Sequence, residues 1–410
     1  MHIISCACQV AFKPSPNMAN SSSFFYPSLL LAATFLVLAT TVDVVRGVIK
    51  LPRNVVVPAV LVFGDSIVDP GNNNNLPTVA KANFPPYGQN FMGGNPSGRF
   101  SNGKIPSDMI VEQLGIKELL PAYLDPKLQP SELPTGVSFA SGGCGYDPLT
   151  AKLSIHAIDL DSQLKLFKEY LARVIAMVGE NRTQSIISES IYVVVAGSND
   201  ISNTYFDSPT RRLQYDVPTY TDFMLQYAKA FIQELYEIGA RRIAVTGAPP
   251  MGCLPSQRTL AGGKRRECAE EYNEASALFN SKLSKALDEF NNKYPHLRAI
   301  YIDIYTPLLR LIKNPRSYGF EVSDRGCCGT GLIEVILLCN KLNPFTCKDV
   351  SKYVFWDSYH PTEKPTRQSS FQSSTAKSVI FTVVIVPASP YIYIYIVSFK
   401  NMCIAFLIYY

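Results

Sequence analysis

Short runs of β-branched residues alternate with long stretches of helical periodicity, and that alternation limits this chain to few folds. VVVPAVLVF at 55–63, IYVVVA at 191–196, RIAVTG at 242–247 and RAIYIDI at 298–304 read as buried strands. Between them, apolar residues recur near every 3.6 positions. Leu164, Phe167, Leu171, Val174, Ile175 and Val178 share one helix face, and Met224, Tyr227, Phe231, Leu235 and Ile238 share another. A third, more polar helix spans about 267–294. Strands alternating with helices predict an α/β fold whose central sheet is parallel and covered on both faces. No internal repeat and no linker precede residue 362, so one domain is expected over 55–365.

In such sheets reactive groups collect where strands end and loops begin. The first run leads straight into Gly64-Asp65-Ser66, the second into Gly197-Ser198-Asn199-Asp200. The segment GVSFASGGCGY at 136–146 reads as a short strand followed by a glycine-rich turn. A serine nucleophile needs a base to take its proton. Of the four histidines, His2 lies ahead of the mature chain, and His156 and His296 read as solvated loop residues. His360 differs, because Asp357 precedes it by three positions in Asp-Ser-Tyr-His-Pro. On one face of a helical turn such a carboxylate orients the imidazole and stabilises the imidazolium. The elbow Gly-x-Ser-x-Gly is absent, which argues against the α/β-hydrolase superfamily. A near-miss phosphate loop at Gly98–Lys104 has Ile105 where Ser or Thr is required.

The N-terminus and the cysteines point to export. Residues 24–39, FFYPSLLLAATFLVLA, have the length of a secretory apolar region, so 1–47 is assigned to an extension and signal peptide. Seven cysteines fall between 144 and 347, four of them within 327–347, a crowding that suggests disulfides in an oxidising compartment. Pairing Cys253 with Cys268 would close a short basic loop, and Cys144 is the odd one left over. Asn181-Arg182-Thr183 is a glycosylation sequon suited to a secreted surface. The net charge of +5 is modest, and no basic run marks a nucleic-acid partner.

Taken together these motifs resemble the GDSL esterase/lipase family, specifically its plant secreted, extracellular lipase-like branch. The matching strings are FGDSIVDPGNN at 63–73, GVSFASGGCGY at 136–146, GSND at 197–200 and DSYHP at 357–361. GRFSNG at 98–103, GAPPMGCLP at 247–255 and GCCGTG at 326–331 also match. The resemblance implies a flavodoxin-like, three-layer α/β/α SGNH hydrolase fold. It implies Ser66 as nucleophile, His360 as base and Asp357 as its orienting partner. It implies an oxyanion hole from the N–H of Ser66, the N–H of Gly142 and the side-chain amide of Asn199. No metal or organic cofactor is implied. The expected function is a secreted serine hydrolase of lipid-type carboxylic esters, located in the apoplast or cell wall.

Three positions depart from the family pattern. Ile67 stands where the family name has Leu, and Ser138 where many members have Asn. After Glu363 the family continues into a helix, whereas here Pro365 is expected to interrupt it. Residues 366–410 read as an atypical, apolar, non-native tail. Its stretch from Ser378 to Phe399 carries no charge, which raises a membrane contact, although Pro387 and Pro390 break it. Two other functions stay open: an acyltransferase, and a catalytically inert secreted or membrane-held binding protein.

Overall fold

The computed structural model describes Leu51 and residues 55–154 and 156–368. The signal segment within 1–47 and the tail beyond 368 lie outside the described residues. Four parallel strands form the main sheet in the order β1 (Val60–Gly64), β2 (Ile191–Val195), β3 (Arg242–Thr246) and β4 (Arg298–Ile302). All four runs expected from the sequence are strands, each shorter than its apolar run. The segment after Gly136 follows the free edge of β1, with Phe139 N–H donating to the Val62 carbonyl (2.7 Å) and Ser141 N–H to that of Gly64 (2.9 Å). Two further short parallel strands, β5 (Val322–Gly326) and β6 (Tyr353–Phe355), make a second sheet that the sequence reading did not anticipate.

Alternation along the strands sends side chains to two cores. Leu61, Phe63, Tyr192, Val194, Ile243 and Val245 face a large core with Phe167, Phe231 and Phe279. Those aromatic residues come from α2 (Leu160–Val178), α3 (Val217–Ile238) and α4 (Glu270–Lys293). Val60, Val62, Val193 and Val195 face a second core with Val111 of α1 (Pro106–Gln113) and Leu114. Helices therefore cover both faces, as the α/β reading requires. Asp159 and Asp216 accept the Ser162 and Thr219 N–H groups and start α2 and α3, satisfying donors that a helix leaves unpaired. Ile175, expected on the buried face of α2, is 40% exposed.

Pro365 does not stop the chain from forming α5 (Glu363–Gln368). It is the third residue of that helix, within the first turn, where its missing N–H would have had no helical partner. Among the described residues, no helix is long and apolar enough to cross a membrane.

The register of β1 against β2 pairs Gly64 with Val195, so both strands end at the same level. This brings the segment starting at Asp65 and the one starting at Ala196 to a common edge. Gly64 makes the close approach possible. Its φ is +131°, and a Cβ there would stand 1.8 Å from the Val195 carbonyl oxygen. Gly64→Ala is expected to lower stability by about 3 kcal/mol or more, measured by chemical denaturation. A variant within about 0.5 kcal/mol of wild type would contradict this account.

Candidate active site

Ser66 is the second residue after β1, on a tight turn braced by neighbouring side chains. Asp65 Oδ1 accepts the Ile67 N–H (3.0 Å), and Asp69 Oδ1 accepts those of Gly71 (2.8 Å) and Asn72 (2.7 Å). Asn72 Nδ2 donates to the Ser138 and Ala140 carbonyls, and Asn73 Nδ2 to that of Gly142. These bonds lock the serine turn to the glycine turn, although some 70 residues separate them in sequence.

His360 Nε2 lies 2.8 Å from Ser66 Oγ. On its other side, His360 Nδ1 lies 2.8 Å from Asp357 Oδ2 and 3.0 Å from Oδ1. A carboxylate can only accept, so Nδ1 carries the proton and Nε2 is left as the acceptor facing the hydroxyl. Asp357 is fully buried and His360 is 6% exposed, which removes competing water. The expected shared helical turn is not what joins them. Residues 356–360 form a bend in which Asp357 Oδ1 accepts the Tyr359 (2.8 Å) and His360 (2.7 Å) N–H groups. A short acceptor side chain closes such a bend on its own backbone, without a helix.

Tyr87 was invisible to the sequence reading. Its hydroxyl donates to Asp357 Oδ2 (2.7 Å) and accepts the Ile336 N–H (2.9 Å). Burial and the Asp357 carboxylate push that phenol well above its ordinary range, so it stays a donor. No motif flags a tyrosine 270 positions away from its partner. Phe100 belongs to the matching string GRFSNG, but nothing in that string indicates that its ring packs 5.1 Å from the His360 ring.

Asn199 lies just past β2, with Nδ2 donating to the Cys144 carbonyl (2.9 Å) and one amide hydrogen to spare. The Ser66 N–H has no hydrogen-bond partner among the described residues. Gly142 departs from expectation, because its N–H already donates to Asp69 Oδ2 (2.9 Å). A buried carboxylate needs donors on both oxygens, and the glycine turn supplies one. The residue must still be glycine, since a Cβ would stand 2.5 Å from the Phe100 ring. His156 and His296 are exposed, as expected of loop histidines. Asn181 is exposed in the first turn of the helix Glu180–Glu189.

Three carboxyl groups are buried around the serine turn. Burial raises Asp65 from 3.8 to about 7, and Asp69 and Asp200 to about 6. Keeping them partly neutral limits the negative charge opposing any oxyanion formed here. Asp65 holds its proton in the folded state up to about pH 7, whereas the unfolded chain loses it near 3.8. The folded state thus binds the extra proton across that window, and stability falls as pH rises through it. Denaturation midpoints are expected to drop between about pH 5 and about pH 8 in wild type, and less in Asp65→Asn. An equal drop in both would show that Asp65 does not titrate in this way.

Cys253–Cys268, Cys327–Cys347 and Cys328–Cys339 are disulfides, and Cys144 is free and buried. The crowded cysteines at 327–347 are thus all paired.

A parallel sheet with helices on both faces, carrying a serine, a histidine and an aspartate in hydrogen-bonded succession at a strand end, defines the class of serine ester hydrolases. The family model of the GDSL-like lipase/acylhydrolases matches residues 60–368. The chain belongs to that family. Its curated relatives include GDSL esterase/lipase EXL3 of Arabidopsis thaliana, 56% identical over 316 residues, spanning 77% of this chain and 86% of the relative. GDSL esterase/lipase EXL2 of the same plant is 51% identical over 335 residues, spanning 78% and 88%.

Proposed function

We propose that the chain hydrolyses lipid-type carboxylic esters through an acyl-enzyme at Ser66. One observation carries the reading: the unbroken succession from Ser66 Oγ through both ring nitrogens of His360 to Asp357. As Oγ bonds to the ester carbonyl carbon, Nε2 takes its proton and the C=O electron pair moves onto oxygen. The tetrahedral species then collapses, and His360 returns the proton to the departing alkoxide. A water molecule, deprotonated by the same nitrogen, attacks the acyl-enzyme and releases the acid with Ser66 restored.

The Ser66 N–H and the second amide hydrogen of Asn199 are the donors for the oxyanion; the Gly142 N–H reaches it only by sharing with Asp69. Each such donor contributes on the order of 10²–10³ in rate. An apolar groove lies on the sheet face of Val193 and Val195, walled also by Pro106, Ile110, Ile302 and Leu308; Ser66, Asn199 and His360 do not line it, so the lipid-type ester is proposed from the family and not from this groove. Three disulfides and an exposed sequon at Asn181 support a secreted, extracellular protein with a catalytic domain over about 55–365.

The folded chain is expected to take up one fluorophosphonate label, at Ser66, with His360→Ala slowing the reaction at least about hundredfold. Folded protein that stays unlabelled would sink the mechanism and favour an inert binding protein. Adding an alcohol acceptor and analysing the products distinguishes hydrolysis from acyl transfer, since both pass through the same acyl-enzyme.

A further inference from the structure

Five of the fourteen exposed large apolar side chains among the described residues fall within thirteen positions. They are Ile333 (46% exposed), Leu337 (58%), Leu338 (55%), Leu342 (90%) and Phe345 (69%). The segment carrying them is held by two disulfides, Cys327–Cys347 and Cys328–Cys339, with Cys328 and Cys339 fully or almost fully buried beneath it. The bridges keep the lobe from collapsing to hide these side chains. We propose that this disulfide-braced lobe docks the enzyme onto a lipid surface.

Three features favour lipid. First, apolar side chains gathered to this degree on a surface mark an interaction site, since scattered exposure would not concentrate them. Second, the exposed charges of the lobe are Lys341, Lys348 and, at its end, Asp349, whereas Glu334 is buried and accepts from Thr330 and the Leu332 N–H, so exposed lysines outnumber exposed carboxylates. Cations beside an apolar patch suit a surface of anionic or zwitterionic headgroups. Third, the lobe satisfies many of its own backbone groups. Leu338 N–H donates to the Val335 carbonyl (3.1 Å), Leu342 N–H to Asn340 Oδ1 (2.9 Å) and Phe345 N–H to Asn343 Oδ1 (3.1 Å), while the Leu337 carbonyl accepts from Asn340 Nδ2 (2.7 Å). Polar groups already paired enter a low-dielectric interface at little cost.

The lobe also abuts the candidate catalytic loop. Ser358 N–H donates to the Glu334 carbonyl (2.9 Å), and Ile336 N–H reaches Asp357 through the Tyr87 hydroxyl. A lobe seated in lipid would hold the serine beside the ester-bearing surface. Docking does not depend on the chemistry proposed for Ser66, because fluorophosphonate labelling reads one and vesicle binding the other.

Phe345→Trp in the full chain supplies the test. The chain's single tryptophan, Trp356, is fully buried, so the new indole is the responsive one. With vesicles of phosphatidylcholine and phosphatidylglycerol, its emission is expected to shift to the blue and to fall about twofold when the phosphatidylcholine is brominated. This reports on position 345 itself, whatever other segment binds. The combined variant Leu338→Ser, Leu342→Ser, Phe345→Ser is expected to lower vesicle partitioning at least about tenfold. An unchanged melting transition of that variant serves as the control for folding. An unquenched tryptophan, or a folded triple variant that binds vesicles like wild type, overturns the proposal. An unquenched tryptophan together with self-association that the triple variant abolishes would assign the lobe to a protein contact instead.

Discussion

Ser66→Ala is expected to leave a folded protein whose turnover of a short-chain p-nitrophenyl ester is about 10⁴- to 10⁶-fold lower. The loss falls on kcat, because the hydroxyl is the atom that would bond to carbon in the reaction and contributes little to holding the ester. Folding should survive. Ser66 is 9% exposed, and its hydroxyl contacts His360 across 294 residues of chain without bridging any strand. Residual turnover over water would come from binding and the oxyanion donors, which the substitution does not touch. Turnover within about tenfold of wild type, in protein with an unchanged melting transition, would end the acyl-enzyme proposal.

Asp357→Asn is expected to cost about 10⁴ in kcat with little change in KM. The carboxylate now accepts from His360 Nδ1, the Tyr87 hydroxyl and two backbone N–H groups. An asparagine can keep its carbonyl oxygen on the two backbone donors, which leaves its amide N–H₂ facing Nδ1. The imidazole would then protonate on Nε2 and present a donor, not an acceptor, to Ser66. The Tyr87 hydroxyl can accept from the same amide, but its own buried O–H then loses its acceptor, so the variant is expected to fold with a stability lower by about 1–3 kcal/mol. The measurement is steady-state kinetics beside thermal unfolding. A variant that keeps kcat would show that Asp357 neither sets the tautomer nor stabilises the imidazolium.

How much of this was legible in sequence varies from residue to residue. The strands at 191–195 and 242–246 and the helices carrying Phe167 and Phe231 follow from periodicity, which a linear chain displays directly. Ser66 and Asn199 were marked by lying just past apolar runs. The Cys253–Cys268 pairing was proposed from spacing, and the structure contains it. Tyr87, the packing of Phe100 and the use of the Gly142 N–H by Asp69 were not legible. Each depends on a partner brought in from a distant segment, and no local pattern encodes that partner. Pro365 was read by a rule for helix interiors, and the structure puts it in a first turn, where the rule does not apply.

The residue order alone determined which segments extend, which coil and which faces seek burial, because backbone preference and apolar period act over a few neighbours. Only tertiary packing decided that the ends of two parallel strands stand level and that a bend 294 positions away closes on the serine. Hydrogen bonds a few ångströms long require that juxtaposition, and the sheet register and buried cores supply it.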